Sequence, residues 1–156
     1  MFCKKRVIND IVVPETIEII NFTTIKNIEP IVKLLAYKVF EFDKIRIRLN
    51  YLPAIFNSGD FDYWGVAQKM IDGPQSYQIF LKKNLTQSSL RGVLAHEFVH
   101  IDQYNSGDLQ VTGAEYIWKG ESGNMYDVEY KRRPFELDAG KRSRQVLKDL
   151  KKILYK

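Results

Sequence analysis

Residues 94–108 read "LAHEFVHIDQYNSGD". The chain of 156 residues has two histidines, and both fall here: His96 and His100, with Glu97 beside the first. Thr86 and Ser88 stand where an N-cap would, and Val93 and Leu94 offer a core-facing side, so 86–105 predicts a helix. Four helical residues advance about 6 Å and turn about 400°, so both imidazoles leave one face, one turn apart. Two ring nitrogens can then reach one ion at about 2.0–2.1 Å. Glu97, turned about 100° from His96, would flank the ion and take a proton from water that the ion activates. The plainer alternative is a pair of buried, hydrogen-bonded histidines. Chance alone gives two histidines at this spacing with a glutamate after the first on the order of once in a thousand, which favours the metal.

A third ligand is then required. No histidine remains, and the single cysteine, Cys3, is remote in sequence. A carboxylate is expected, giving two histidines and one acid with a fourth position open. The downstream acids are Glu115, Glu121, Glu129, Glu136 and Asp138. Glu136 is preferred because it falls in the first turn of a new helix. The small Ala139 and Gly140 beside it would let that helix approach the histidines. A glycine inside a helix costs about 1 kcal/mol relative to alanine, so it calls for a packing reason. Glu129, in an expected strand, is the second choice. The ordinary alternative for Glu136 is an acid favoured by the helix dipole.

Composition sets the frame. With 45% hydrophobic residues, the chain is long enough for one core and too short for two, so 1–156 is expected to be a single domain. No apolar run approaches the roughly 18–20 residues that span a bilayer, and the N-terminus does not have the pattern of a signal peptide. A lone cysteine argues for a reducing compartment and excludes a cysteine-built zinc cage. The net charge is +5, and the seven basic residues after Glu136, set against Asp138 and Asp149, account for all of it. A solvated face with cations near a helix C-terminus explains this; an acidic partner is the sharper alternative, and nucleic acid has only the charge behind it.

Outward from the histidines, "RVINDIVV" and "TIEIINFTTI" in residues 1–25 predict strands or an extended arm. Residues 27–42 predict a helix with Pro30 in its first turn. "KIRIRLNYL" alternates as a half-buried strand. "YWGVAQKMI" and "SYQIFLKK" flank "DGPQ" as a hairpin. Residues 114–130 suggest two short strands around a Gly/Ser turn. The final helix opens at Pro134, with apolar positions Leu137, Val146, Leu147, Leu150, Ile153 and Leu154. Strands and helices segregate in this order, which predicts an α+β fold with a small antiparallel or mixed sheet.

"HEFVH" followed about 35 residues later by "RRPFELDAG" resembles the gluzincin class of zinc metallopeptidases. The likeness is closest to the small single-domain minigluzincins and to short metallopeptidases of gut bacteria and their phages, and it covers roughly residues 30–145. It implies a zincin-like domain in which an active-site helix and a C-terminal helix bring together the zinc ligands His96, His100 and Glu136, with Glu97 as general base. It also implies that the strand "SYQIFLKK" borders the cleft, where a peptide adds as an extra strand. One position departs: thermolysin-like gluzincins carry an Asp four residues after the ligand Glu to support a zinc histidine, and here that place is Gly140. Asp102, Gln103 or a backbone carbonyl is left to orient the imidazoles. Among Tyr116, Tyr126 and Tyr130, the last is preferred as donor to the developing oxyanion, against ordinary aromatic packing.

The expected function is zinc-dependent peptide hydrolysis on a peptide or protein substrate, in the cytoplasm or in a phage virion, with no membrane partner. The alternative is a non-catalytic structural or virion-assembly component on the same scaffold, with the basic C-terminal helix as its contact to a protein partner.

Overall fold

The computed structural model describes residues 11–53 and 63–155. Strand β1 (Ile17–Asn21) leads into helix α1 (Ile28–Leu34), which continues as a π-helical turn over Leu35–Val39. Strands β2 (Ile45–Tyr51), β3 (Gly65–Lys69) and β4 (Ser76–Leu81) follow, then helix α2 (Gln87–Ser106). Strands β5 (Leu109–Thr112), β6 (Glu115–Trp118) and β7 (Glu121–Asn124) precede a 3₁₀ turn at Tyr130–Arg132 and helix α3 (Pro134–Leu154). The fold is α+β, with two small sheets. No helix among the described residues is long and apolar enough to cross a membrane.

The larger sheet runs β1-β2-β4-β3 and is mixed: β1, β2 and β4 are parallel, and β3 pairs antiparallel with β4. Alternation in β2 buries Ile45, Ile47 and Leu49 and leaves Arg46 and Arg48 to pair with Glu18 and Asp72 at 2.9 and 2.6 Å. In register beside them, Tyr77, Ile79 and Leu81 of β4 fill the same buried face. The expected hairpin is present as β3 and β4. The expected segregation of strands and helices fails in the first half. There α1 is the crossover between parallel neighbours β1 and β2, a connection that a hairpin turn cannot make. The arm expected over residues 1–25 reduces to β1; residues 1–10 lie outside the described part.

Strand "SYQIFLKK" does not form the sheet edge. β4 bonds to β2 on one side and β3 on the other, so both its edges are satisfied, and β3 is the edge strand. Strand β5 was absent from the sequence expectation; with β6 and β7 it makes an antiparallel meander.

Helix α2 begins on Thr86, whose Oγ1 accepts from the Ser89 amide at 3.1 Å, and ends at Gly107, whose φ of +84° is open to glycine at little cost. Phe98, fully buried, meets Phe40 with ring centroids 5.6 Å apart, locking α2 onto the end of the π turn. Leu94 faces the core as expected. Val93 is half-buried on the opposite, cleft side. On α3, Val146, Leu150 and Leu154 are buried as expected, whereas Leu137 is 59% exposed and Phe135 and Ala139 are the buried residues of its first turns.

Candidate metal centre

His96 and His100 project from α2 onto one side chain of α3, Glu136. Its two carboxylate oxygens lie 3.0 Å from His96 Nε2 and 3.1 Å from His100 Nε2. Ions held at about 2.0–2.1 Å in a tetrahedron separate their ligand atoms by about 3.3 Å, close to these two contacts. One ligand atom from each of the three residues falls within 4.8 Å of the others, and together they could hold a metal ion. Glu115, Glu121 and Glu129 are exposed and outside this group.

Phe135 explains how Glu136 reaches its position. It is buried in a second, smaller core with Leu109 and Tyr116, its ring 5.1 Å from Tyr116 and 6.2 Å from His100. The meander therefore pins the first turn of α3. Buried Ala139 permits the close approach of α3 to α2. Gly140 does not contribute as expected: it is exposed, and a Cβ built there would meet nothing within 4 Å.

Gln103, fully buried one turn below His100, resolves the orienting partner. Its Nε2 donates to the Phe135 carbonyl at 3.0 Å and to Asp138 at 2.9 Å. Both amide hydrogens are thus used, and Oε1 faces His100 Nδ1 at 2.8 Å. An amide oxygen only accepts, so Nδ1 carries the hydrogen and a neutral His100 presents its Nε2 lone pair toward Glu136. Asp138 is held in turn by Arg142, which also pairs with Asp102. Asp138 thus reaches the imidazole through Gln103, and Asp102 reaches it only through Arg142.

Charges in this cluster act on one another. Burial opposes a proton on His100, but hydrogen bonding to Glu136, the nearby Glu97 charge and Gln103 outweigh it and raise its pKa to about 9. Burial pushes Glu136 up, and the two imidazoles overcome this and hold it down at about 2. Glu97 is 4% exposed, and burial raises its carboxyl despite both histidines and the Ala67 backbone amide that hydrogen-bonds it. A carboxylate raised in this way is a stronger base near neutral pH than an exposed one. Tyr130 is raised by burial and by the Glu136 and Glu97 charges, so its phenol stays protonated as a donor, directed at Glu136. Tyr116 is packed against Phe135, and Tyr126 is 88% exposed.

Gly65 was missed from sequence, yet its lack of a side chain matters. A Cβ there would sit 2.5 Å from Val93 Cγ1 and 3.2 Å from Glu97 Cγ, so only glycine lets the edge strand β3 lie this close to the site. Tyr104 was also missed: it lies near the same carboxylates, its phenol pushed up to about 12 by burial. Its signal was available, because Tyr104 falls four residues after His100 on the same helix face. No protein-family model, curated protein or solved structure matches this chain.

Proposed function

We propose that the protein is a zinc-dependent peptidase of the gluzincin type, on a zincin-like scaffold, with His96, His100 and Glu136 as zinc ligands. The observation that carries the proposal is a buried, basic carboxylate, Glu97, adjacent to a two-histidine, one-carboxylate cluster. Four protein donors, often cysteines, are usual for a structural zinc site; three donors of this kind suit an open, catalytic one. When bound, zinc supplies Lewis-acid polarisation of a peptide carbonyl and acidifies water.

The chain's own groups do the rest. Glu97 takes the proton of the attacking water and delivers it to the departing amine. Tyr130 donates to the carbonyl oxygen as it gains charge. Gln103 keeps His100 in the tautomer whose Nε2 is free to coordinate. The substrate is an extended peptide lying along the edge strand β3, whose Ala67 amide already faces Glu97.

The test is Glu97→Gln. The amide cannot accept the proton, so chelator-sensitive peptide cleavage should fall by roughly 10²–10⁴ with zinc content and fold retained. Absence of chelator-sensitive cleavage by the parent across broad peptide libraries would leave the non-catalytic assembly role instead.

A further inference from the structure

The cleft at His96 has two unlike arms. One, a cavity of about 420 Å³, is walled by Tyr63, Trp64, Val93 and Tyr130. The other, about 430 Å³, opens on the other side of the same His96 and Tyr130 and is walled by Lys131, Lys141, Arg144 and Leu137, with Gly140 between them. Lys131, Lys141 and Arg144 are exposed and have no ion pair or hydrogen bond among the described residues. The acids nearby are already engaged: Glu136 with the histidines, Asp138 and Asp102 with Arg142, Glu129 with Arg132.

The charge continues along α3. At 100° per residue, Lys141, Arg144, Lys148, Lys151 and Lys152 fall within an arc of about 100°, spread over roughly 16 Å of helix. All five are exposed. Asp149 lies outside the arc and is held by Gln145 at 2.9 Å. The stripe therefore carries one sign from the edge of the metal centre to the end of α3, a length matched by about five residues of extended chain. Gly140 now has a physical role. Any side chain there would project into the basic arm, which the bare helix leaves open.

We infer that this arm and stripe form a docking track for an acidic segment of a polypeptide substrate, with an Asp or Glu seated between Lys141 and Arg144 beside the bond held at His96. The choice of a polypeptide rests on the peptidase proposal. Charge complementarity selects the acid, and continuity with the cleft places it. Among the described residues, Tyr130 and the His96 ring are the aromatic groups lining the basic arm, so the stacking surface that single-stranded nucleic acid uses is poorly supplied.

Binding separates this proposal from catalysis. On Glu97→Gln protein, which leaves peptides uncut, a short fluorescein-labelled peptide with a run of glutamates should bind roughly tenfold tighter than its glutamine counterpart, and added salt should erode the difference. Lys141→Glu with Arg144→Glu should abolish the preference, with zinc content and thermal unfolding as in the parent; Lys151→Gln with Lys152→Gln should reduce it less. Equal binding of the two peptides, or a preference that survives Lys141→Glu with Arg144→Glu, overturns the track. Tighter binding of a single-stranded DNA oligonucleotide than of the acidic peptide at the same salt also overturns it. Should the parent cleave nothing while the glutamate preference persists, the peptidase proposal falls and the acidic track stands.

Discussion

Helices α2 and α3 are nearly the same length and meet at the His96–His100–Glu136 cluster, but they are built on opposite terms. From Glu97 to Ile101, five successive residues of α2 are buried, more than a full turn. Helix α3 buries one stripe, and its other faces are charged. A polar group on α3 can turn to water. Glu97, His100 and Gln103 on α2 cannot, and burying such groups costs free energy unless partners satisfy them. An apolar α2 would be simpler to fold, so the polar residues it buries call for a role beyond packing; α3 brings one side chain, Glu136, to the cluster and carries the charge.

The largest effect should come from removing the one side chain that both histidines contact. Glu136→Ala should weaken zinc binding, followed by calorimetric titration, by more than the roughly 10–100-fold that loss of an outer partner produces. Affinity equal to the parent would remove Glu136 from the ligand set. Gln103→Leu should come next, with binding weaker by roughly 10–100-fold, since His100 Nδ1 and Asp138 would lose their partner. An unchanged affinity would mean that packing alone orients the imidazole.

The smallest effect is one of pH in the metal-free protein. His100 is raised above its ordinary value of 6.5 to about 9. Its proton therefore stabilises the fold fully below 6.5, and that contribution disappears as pH rises through 9. Glu136, lowered, contributes above 4.5 and loses its contribution as pH falls through about 2. Chemical denaturation of chelator-treated protein should show a decline on the order of 1 kcal/mol between pH 6.5 and 9. Zinc affinity should rise over the same interval, because coordination requires neutral imidazole. A flat stability profile that His100→Ala does not alter would break the link.

What could be read in advance was local. Thr86 caps α2 because its own side chain reaches the Ser89 amide, and β2 alternates because each residue chooses a face by itself. The cap and the core-facing Leu94 identified α2, and the histidine spacing then placed both imidazoles on one of its faces. What stayed hidden depended on partners far along the chain. Parallel pairing of β1 with β2 is set by packing of α1, and β5 is four residues that gain their form only from β6. Asp138 is separated from His100 by a bond that only the docked Gln103 supplies. Gly140 misled because a small residue marks either close contact or open space, and spacing alone does not distinguish them.

The distribution of the cluster over the chain also sets an order of events. His96 and His100 leave α2 together, and Glu136 comes 40 and 36 residues later, beyond the whole meander. Synthesis of β1 to β4 and α2 leaves only two of the three donors present. The cluster needs Glu136, whose turn of α3 is held by Phe135 against Leu109 of β5 and Tyr116 of β6. A ribosome-bound or clipped chain that ends before residue 136 carries the motif without the centre. On the proposed chemistry, the protein would be harmless to its neighbours until the last helix arrives.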